Sequence, residues 1–344
     1  MSNLAIPEGY RAHLTIPEGY HPRLTSGELQ NAIALIHEEF PRQLAAKLNL
    51  RKVCAPLFLD RSSGLTDAPG SGKPLTFDIP DIDAQAEFVQ SLSKWARVTL
   101  KRYDFKLGTG LYASARTVRP DVRTDNLHSV YVDQWDWEKR IDPQNRETQY
   151  LRDTVRDIVT CVCDTAEVLR KAFPALTFHP DRDVYFLTAQ ELEDRFPRLT
   201  PAERENEICH LHRTVFLTNI GPALRSGAPH AGRAPDCEDW DLNGALLMWN
   251  PVLKRACELS TMGIRVDADA LRRQLSAAGC KDRRFLLFHQ MLLNGDLPQS
   301  IGGSIGSSRL YMLLLEACHI GEVQVGLWDA DTMRDCEEAG IPLL

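Results

Sequence analysis

Apolar and polar residues alternate along residues 128–140, HSVYVDQWDWEKR, and that alternation predicts a strand. Strand side chains point alternately to two faces. Val130, Val132, Gln134, Asp136 and Glu138 therefore share one face, and Tyr131, Asp133, Trp135 and Trp137 share the other. The first face turns from apolar to acidic along its length, while the second stays mostly aromatic. Such a strand packs on its aromatic side and lines a polar cavity on the other.

Helical spacing dominates elsewhere. Thr25 and Glu28 form a capping-box pattern ahead of Leu29, Ile33, Leu35, Ile36 and Phe40, predicting a helix that Pro41 kinks or restarts before it ends near Leu50. Residues 51–60, RKVCAPLFLD, are expected as a strand whose Pro56 belongs at an edge or bulge. A short strand at 75–79 and a helix over 84–102, with Phe88, Leu92 and Trp95 on one stripe, follow. Further helices are expected at 147–173, 188–196, 200–212, 268–278 and 282–293, with strands at 183–187, 214–219, 245–249 and 257–266. Strands separated by uneven helical insertions predict an α+β domain over residues 25–344, built on an antiparallel sheet flanked by helices. Residues 4–23 hold a tandem decapeptide, LAIPEGYRAH then LTIPEGYHPR; two copies are too few for a solenoid, so 1–24 is expected as a tail, mobile or loosely docked.

Composition narrows the function classes. The 344 residues carry a net charge of −7 and no Lys/Arg block, which argues against a nucleic-acid partner. Nine scattered cysteines without CxxC spacing suggest reduced thiols. With no signal-like N-terminus and no long apolar run, the expected location is the cytoplasm, away from membranes. The CHLH at 209–212 is expected as the last turn of a helix rather than a metal cluster. GSGK at 70–73 imitates a phosphate loop, but Asp67 stands where the first glycine belongs and Pro74 where Ser or Thr should bind magnesium.

Three separated pieces call for one explanation: LNLRKVCAPLFL, then ARTVRPDVRTDNLHSVYVDQWDWE, then GGSIGSSRL. In that order they resemble the three signature motifs of the class-II aminoacyl-tRNA synthetase catalytic fold. SLSKWARVTL, GLYASARTVRPD, LHSVYVDQWDWE, RAPDCEDW and ELSTMGIRVDADAL together resemble the ammonia-dependent asparagine synthetase A family, the aspartate–ammonia ligases. The resemblance spans about residues 25–344. It implies the reaction of L-aspartate, ATP and ammonia to asparagine, AMP and pyrophosphate through a β-aspartyl-adenylate, in a homodimer joined partly through the first motif.

The residue chemistry suits that reaction. Attack of a carboxylate on the α-phosphorus builds charge on the non-bridging oxygens, which a planar guanidinium matches with two hydrogen bonds. Arg119 is the candidate. The resemblance places Arg309, after glycines that admit a nucleotide close to the backbone, on adenine and the outer phosphates, and adds His128, Glu138 and Met262 to the ATP site. Glu258 is the expected Mg2+ ligand. Where a second acid is expected on the preceding strand, the chain has Ala245. Gln134 and Asp136 are expected to hold aspartate, with Ser260; Lys94 and Arg233 are candidates for its carboxylates and Glu238 for its amino group, a surface ion pair being the lesser alternative for each of these three. Asp67 is the candidate acceptor of a proton from ammonium, since only the neutral amine is nucleophilic. The alternatives are a synthetase acting on tRNA and a synthetase-like chain that binds without catalysis.

Overall fold

The computed structural model describes residues 14–66 and 75–344. Helix α1 (Ser26–Leu48) starts at the Thr25–Glu28 capping box and runs unbroken through Pro41, instead of kinking or restarting there. It buries Leu29, Ala32, Ile36, Phe40, Leu44 and Leu48, one per turn or nearly so, and Asn49 ends it in the left-handed region. The expected strand around Pro56 is two strands in different sheets: β1 (Leu50–Lys52) and β2 (Phe58–Asp60). The proline, which cannot donate to a ladder, lies in the crossing between them.

β3 (Thr76–Ile79) and β4 (Ala84–Phe88) complete a small sheet of order β2-β4-β3. Residues 84–88 were expected in a helix. Phe88 instead joins an aromatic cluster with Phe58 and Phe77, ring centroids 6.4 and 5.5 Å away. The helix proper, α2 (Ser93–Arg102), begins only where Asp136 Oδ2 accepts the Leu92 N–H at 2.9 Å, a cap supplied from another strand.

β5 (Gly110–Val118), not assigned from the sequence, pairs antiparallel with β6 (Tyr131–Arg140). Then come α3 (Thr148–Ala172), β7 (Tyr185–Thr188), α4 (Ala189–Arg195), α5 (Pro201–His212), β8 (Thr214–Thr218), β9 (Glu238–Asn250) and β10 (Arg255–Arg265). The CHLH stretch closes α5, with Cys209 buried and His212 stacked on Tyr185. The chain ends with α6 (Ala268–Ala277), α7 (Leu287–Leu293), β11 (Ser300–Gly306), α8 (Ser307–Leu314) and α9 (Ala330–Glu338). The large sheet has the order β1-β5-β6-β11-β10-β9-β8-β7 and is antiparallel except for the β1–β5 and β7–β8 pairs at its edges.

β6 is buried on both faces over residues 134–138. Trp135 packs against Phe40 and Tyr311, at 5.1 and 6.0 Å between ring centroids, so α1 and α8 cover the aromatic side. On the other face Glu138 is fully buried and takes Arg265 Nε and Nη2 at 2.9 and 2.8 Å. Arg265 Nη1 also donates to Glu238. Gly302 makes room for this pair, because a Cβ there would lie 2.0 Å from Glu138 Oε2 and 2.6 Å from Arg265 Nη2. Residues 14–24 lie on the core: Leu14, Ile16, Tyr20 and Leu24 pack against it.

Disrupting a buried ion pair leaves an uncompensated charge and costs about 3–5 kcal/mol. Gly302→Ala is therefore expected to lower unfolding stability by about that amount or to prevent folding, while Gly232→Ala, with open space around it, stays within about 0.5 kcal/mol. Urea denaturation followed by circular dichroism of both variants measures the contrast.

Candidate active site

The second-motif loop starts where Arg119 N donates to Val130 O at 2.7 Å, extending the β5–β6 ladder by one pair. Asp125 then ties the loop: its Oδ1 accepts the N–H groups of Leu127 and His128 at 2.7 and 2.8 Å and meets His128 Nδ1 at 2.8 Å. Burial alone would raise the Asp125 pKa, but the bonds and charge of His128 and the Leu127 N–H outweigh it and hold the group at about 2. Arg309, in the first turn of α8, reaches back across the loop. Its Nε approaches Leu127 O at 3.4 Å and its Nη1 donates to Glu258 O at 2.8 Å.

These elements enclose an open cleft at the sheet face. Arg119, His128, Gln134, Glu258, Ser260 and Arg309 all line it, so the structure brings six of the sequence candidates together. The Glu258 carboxylate faces Arg309 Nη1 at 3.7 Å and Arg233 Nη2 at 3.5 Å. Loss of water, then the like charge of Arg309, lowers the Arg119 pKa, with Glu258 and Asp136 opposing. Three guanidinium groups thus gather around one carboxylate, and the surplus positive charge suits a polyanion.

Beneath the cleft, polar groups interlock across three strands. Gln134 Nε2 donates to Asp136 Oδ1 at 2.7 Å, Ser304 bonds the same carboxylate, and Ser260 Oγ donates to Ser304 O at 2.8 Å. Burial pushes the Asp136 pKa up, against the Leu92 N–H, Ser304, Arg265 and Gln134. The remaining candidates lie elsewhere. Glu138 and Glu238 are occupied by Arg265, and Met262 is in the main core. Lys94 Nζ donates to Asp236 Oδ2 at 3.1 Å, and that oxygen also faces His289 Nε2 at 2.9 Å and Arg283 Nη1 at 3.3 Å. Asp67 lies outside the described residues.

Several residues that the sequence reading did not single out belong to this architecture. Ser304, Ser308 and Gln324 line the cleft, Arg265 pairs with both Glu138 and Glu238, and Asp236 collects Lys94, Arg283 and His289 on one oxygen. The Asp236 Oδ1 is buried with no hydrogen-bond partner among the described residues. Asp236, Arg265, Ser304 and Ser308 lie inside the motifs RAPDCEDW, ELSTMGIRVDADAL and GGSIGSSRL, whereas Gln324 lies outside all of them. A magnesium ion implied by the family would find one protein carboxylate here, because Leu247 faces Glu258 and Ala245 faces Thr261 across the β9–β10 pair. That donor set fits a hard cation held mostly by substrate phosphates and water, the usual arrangement for Mg2+, and not an all-protein cage.

The family profile described as aspartate-ammonia ligase matches residues 27–340. An aspartate–ammonia ligase of Levilactobacillus brevis is 48% identical over 319 residues, covering 92% of this chain and 95% of its own. One from Clostridium perfringens is 47% identical over 348 residues, covering all of both chains. Among solved structures, asparaginyl-tRNA synthetases in complex with asparaginyl-adenylate share the fold. The Entamoeba histolytica protein has a TM-score of 0.62 at 14% identity over 87% of this chain, and the Pyrococcus horikoshii protein 0.61 at 13% over 86%. The chain spans 66% and 67% of those longer proteins.

Because the folded pKa of Asp125 lies below the unfolded value of about 4, its stabilisation is present above pH 4 and is lost as pH falls through 2. With allowance for the exposed His128 partner, Asp125→Asn is expected to cost about 1–2 kcal/mol at pH 7. That gap should close by pH 2. Urea midpoints of parent and variant at pH 7, 4 and 2 provide the check.

Proposed function

The chain belongs to the aspartate–ammonia ligase family, and from that membership we propose that it converts L-aspartate and ammonia to L-asparagine with ATP, releasing AMP and pyrophosphate. The observation that carries the adenylate route is the meeting of Arg119 and Arg309, 190 positions apart, in one cleft beside Gln134 and Glu258.

In this reading the β-carboxylate of aspartate attacks the α-phosphorus of ATP and pyrophosphate leaves. Arg119, at the cleft mouth, meets the charge that develops on the α-phosphoryl oxygens. Arg309 holds the outer phosphates, and His128 borders the nucleotide. Mg2+, held by Glu258 and the phosphates, would neutralise the departing pyrophosphate. Gln134 faces the amino acid, with Asp136 behind it as the group that fixes the Gln134 amide, and Ser260 completes the floor. Ammonia then attacks the acyl carbon and AMP departs. The proton lost by ammonium is assigned to Asp67, which lies outside the described residues.

The placement of the other candidates favours indirect roles. Lys94 orients Asp236, while Glu138 and Glu238 set Arg265 between them. Arg233, 3.5 Å from Glu258, would be available to an aspartate carboxylate with Glu258 holding the metal.

We also propose a homodimer joined partly through the first motif, residues 48–59, supported by the exposed Leu57 and Phe58 beside Pro56. A cytoplasmic location is supported by the nine cysteines, which form no disulfide among the described residues. No helix among those residues is long and apolar enough to cross a membrane. The tRNA-charging alternative is not favoured, because relatives that match end to end are ligases and the synthetase likeness is one of fold.

Product analysis with ammonium, aspartate and [α-32P]ATP should yield asparagine and labelled AMP in equal amounts. Labelled ADP, or turnover that requires tRNA, would reject this route. Arg119→Ala is expected to lower kcat by about 10²–10³ if the guanidinium acts in the transition state. A rise in KM alone would reassign it to ground-state binding.

A further inference from the structure

The second decapeptide is seated by a small number of bonds. Asn126, buried in the second-motif loop, accepts Thr15 N–H on Oδ1 at 2.7 Å and donates from Nδ2 to Thr15 O at 2.9 Å and to Cys318 O at 2.8 Å. Its own carbonyl accepts Ile320 N–H at 2.8 Å. Pro17–Tyr20 forms a turn, closed by Tyr20 N to Pro17 O at 3.0 Å, with Gly19 at a φ of 68° that favours glycine. The turn delivers Tyr20 Oη to Glu322 Oε2 at 2.8 Å, and the same hydroxyl accepts Cys318 N–H at 3.2 Å, a donor that Glu322 Oε1 also accepts at 2.8 Å, so the tyrosine covers an amide that Glu322 holds in place.

The slot is therefore built from two segments that border the cleft. Leu127 and His128 follow Asn126, and Ile320 and Gln324 follow Cys318; all four line the cleft, and Leu127 O is the acceptor facing Arg309 Nε.

The first decapeptide repeats nearly every group that the seated one uses. Leu4, Ile6 and Tyr10 match Leu14, Ile16 and Tyr20, and Pro7–Tyr10 matches the turn Pro17–Tyr20. Ala5 replaces Thr15, but Thr15 holds Asn126 through its backbone alone, which Ala5 also has. The one side-chain bond without a counterpart is Arg23 to Glu316 at 3.2 Å, from an arginine that is 53% exposed, so its loss is minor.

We propose that the slot is a receptor for the LxIPEGY sequence, that residues 4–10 of the same chain are its second occupant, and that occupancy orders the loop carrying Leu127 and His128. With residues 14–20 seated, four residues (21–24) connect the peptide to Thr25; with residues 4–10 seated, fourteen (11–24) do. Closure scaling as the three-halves power of loop length makes the second arrangement roughly sixfold less favoured. The first copy is thus a reserve that limits the damage when the second cannot bind.

The nucleotide consequence rests on the ligase reading, but slot occupancy does not, so two readouts separate them. In the full-length chain, amide hydrogen exchange at Cys318 and Ile320 reports the slot, and the KM for ATP reports the loop. Tyr20→Ala is expected to speed exchange by no more than about sixfold, Tyr10→Ala to change nothing, and the double variant to speed it by more than about thirtyfold and to raise the KM for ATP, all independent of protein concentration. The Tyr10→Phe and Tyr20→Phe set repeats the comparison with milder changes, and the peptide LTIPEGYHPR added to the double variant should slow exchange again. Equal exchange in Tyr20→Ala and the double variant would overturn the reserve occupant, as would buffering that vanishes on dilution. Fast exchange with an unchanged KM would overturn the link to the loop. Absence of ligase turnover with the exchange pattern intact would count against the ligase reading alone.

Discussion

A carboxylate with no exposed surface sits near the middle of the large sheet, and the strands around it are arranged to hold that charge. Glu138 takes two nitrogens of Arg265, and Arg265 turns its remaining nitrogen to Glu238 on β9. A glycine on β11 leaves space for the pair. The same strand face continues to Asp136, which caps α2, and to Gln134, which reaches the cleft. One row of buried polar side chains thus couples four strands and a helix. Partial satisfaction of such a row costs more than an apolar core would, which accounts for how completely its members are matched.

That matching decides where unpaired charge remains. The buried carboxylates near the cleft have partners of their own: Glu138 has Arg265, Asp136 the Leu92 N–H, and Asp236 the Lys94 ammonium. The cleft has the opposite balance, with Arg119, Arg233 and Arg309 against Glu258. A bound nucleotide would supply the missing negative charge. The strap formed by residues 14–24 lies behind the same loop, so the order of the cleft also depends on a segment with no side chain in it.

Much of the fold was legible in local pattern. The capping box read at Thr25 opens α1, and boxes of the same Thr–Glu spacing at Thr188 and Thr200 open α4 and α5, because caps depend on residues three apart. The aromatic and polar faces of β6 separate as alternation requires. Misread segments have a common cause. β4 carries a helix-compatible stripe and β5 is short of strong alternation; both are strands because a partner strand is beside them. Pro41 stays inside α1, where packing of the helix against the core outweighs the break that its ring favours.

By itself the sequence determined the capped start of α1, the two characters of β6, the ordered motifs and hence the family. Which candidate groups line the cleft and which pair with each other was decided only in three dimensions. Lys94, Glu138 and Glu238 look as available in the sequence as Arg119 or Arg309, yet the fold gives the first to Asp236, 142 positions away, and the other two to Arg265. Local periodicity reports the face on which a side chain emerges. It carries no record of a charge brought opposite by a distant strand, and in a buried site that opposite charge determines whether a residue is left for substrate.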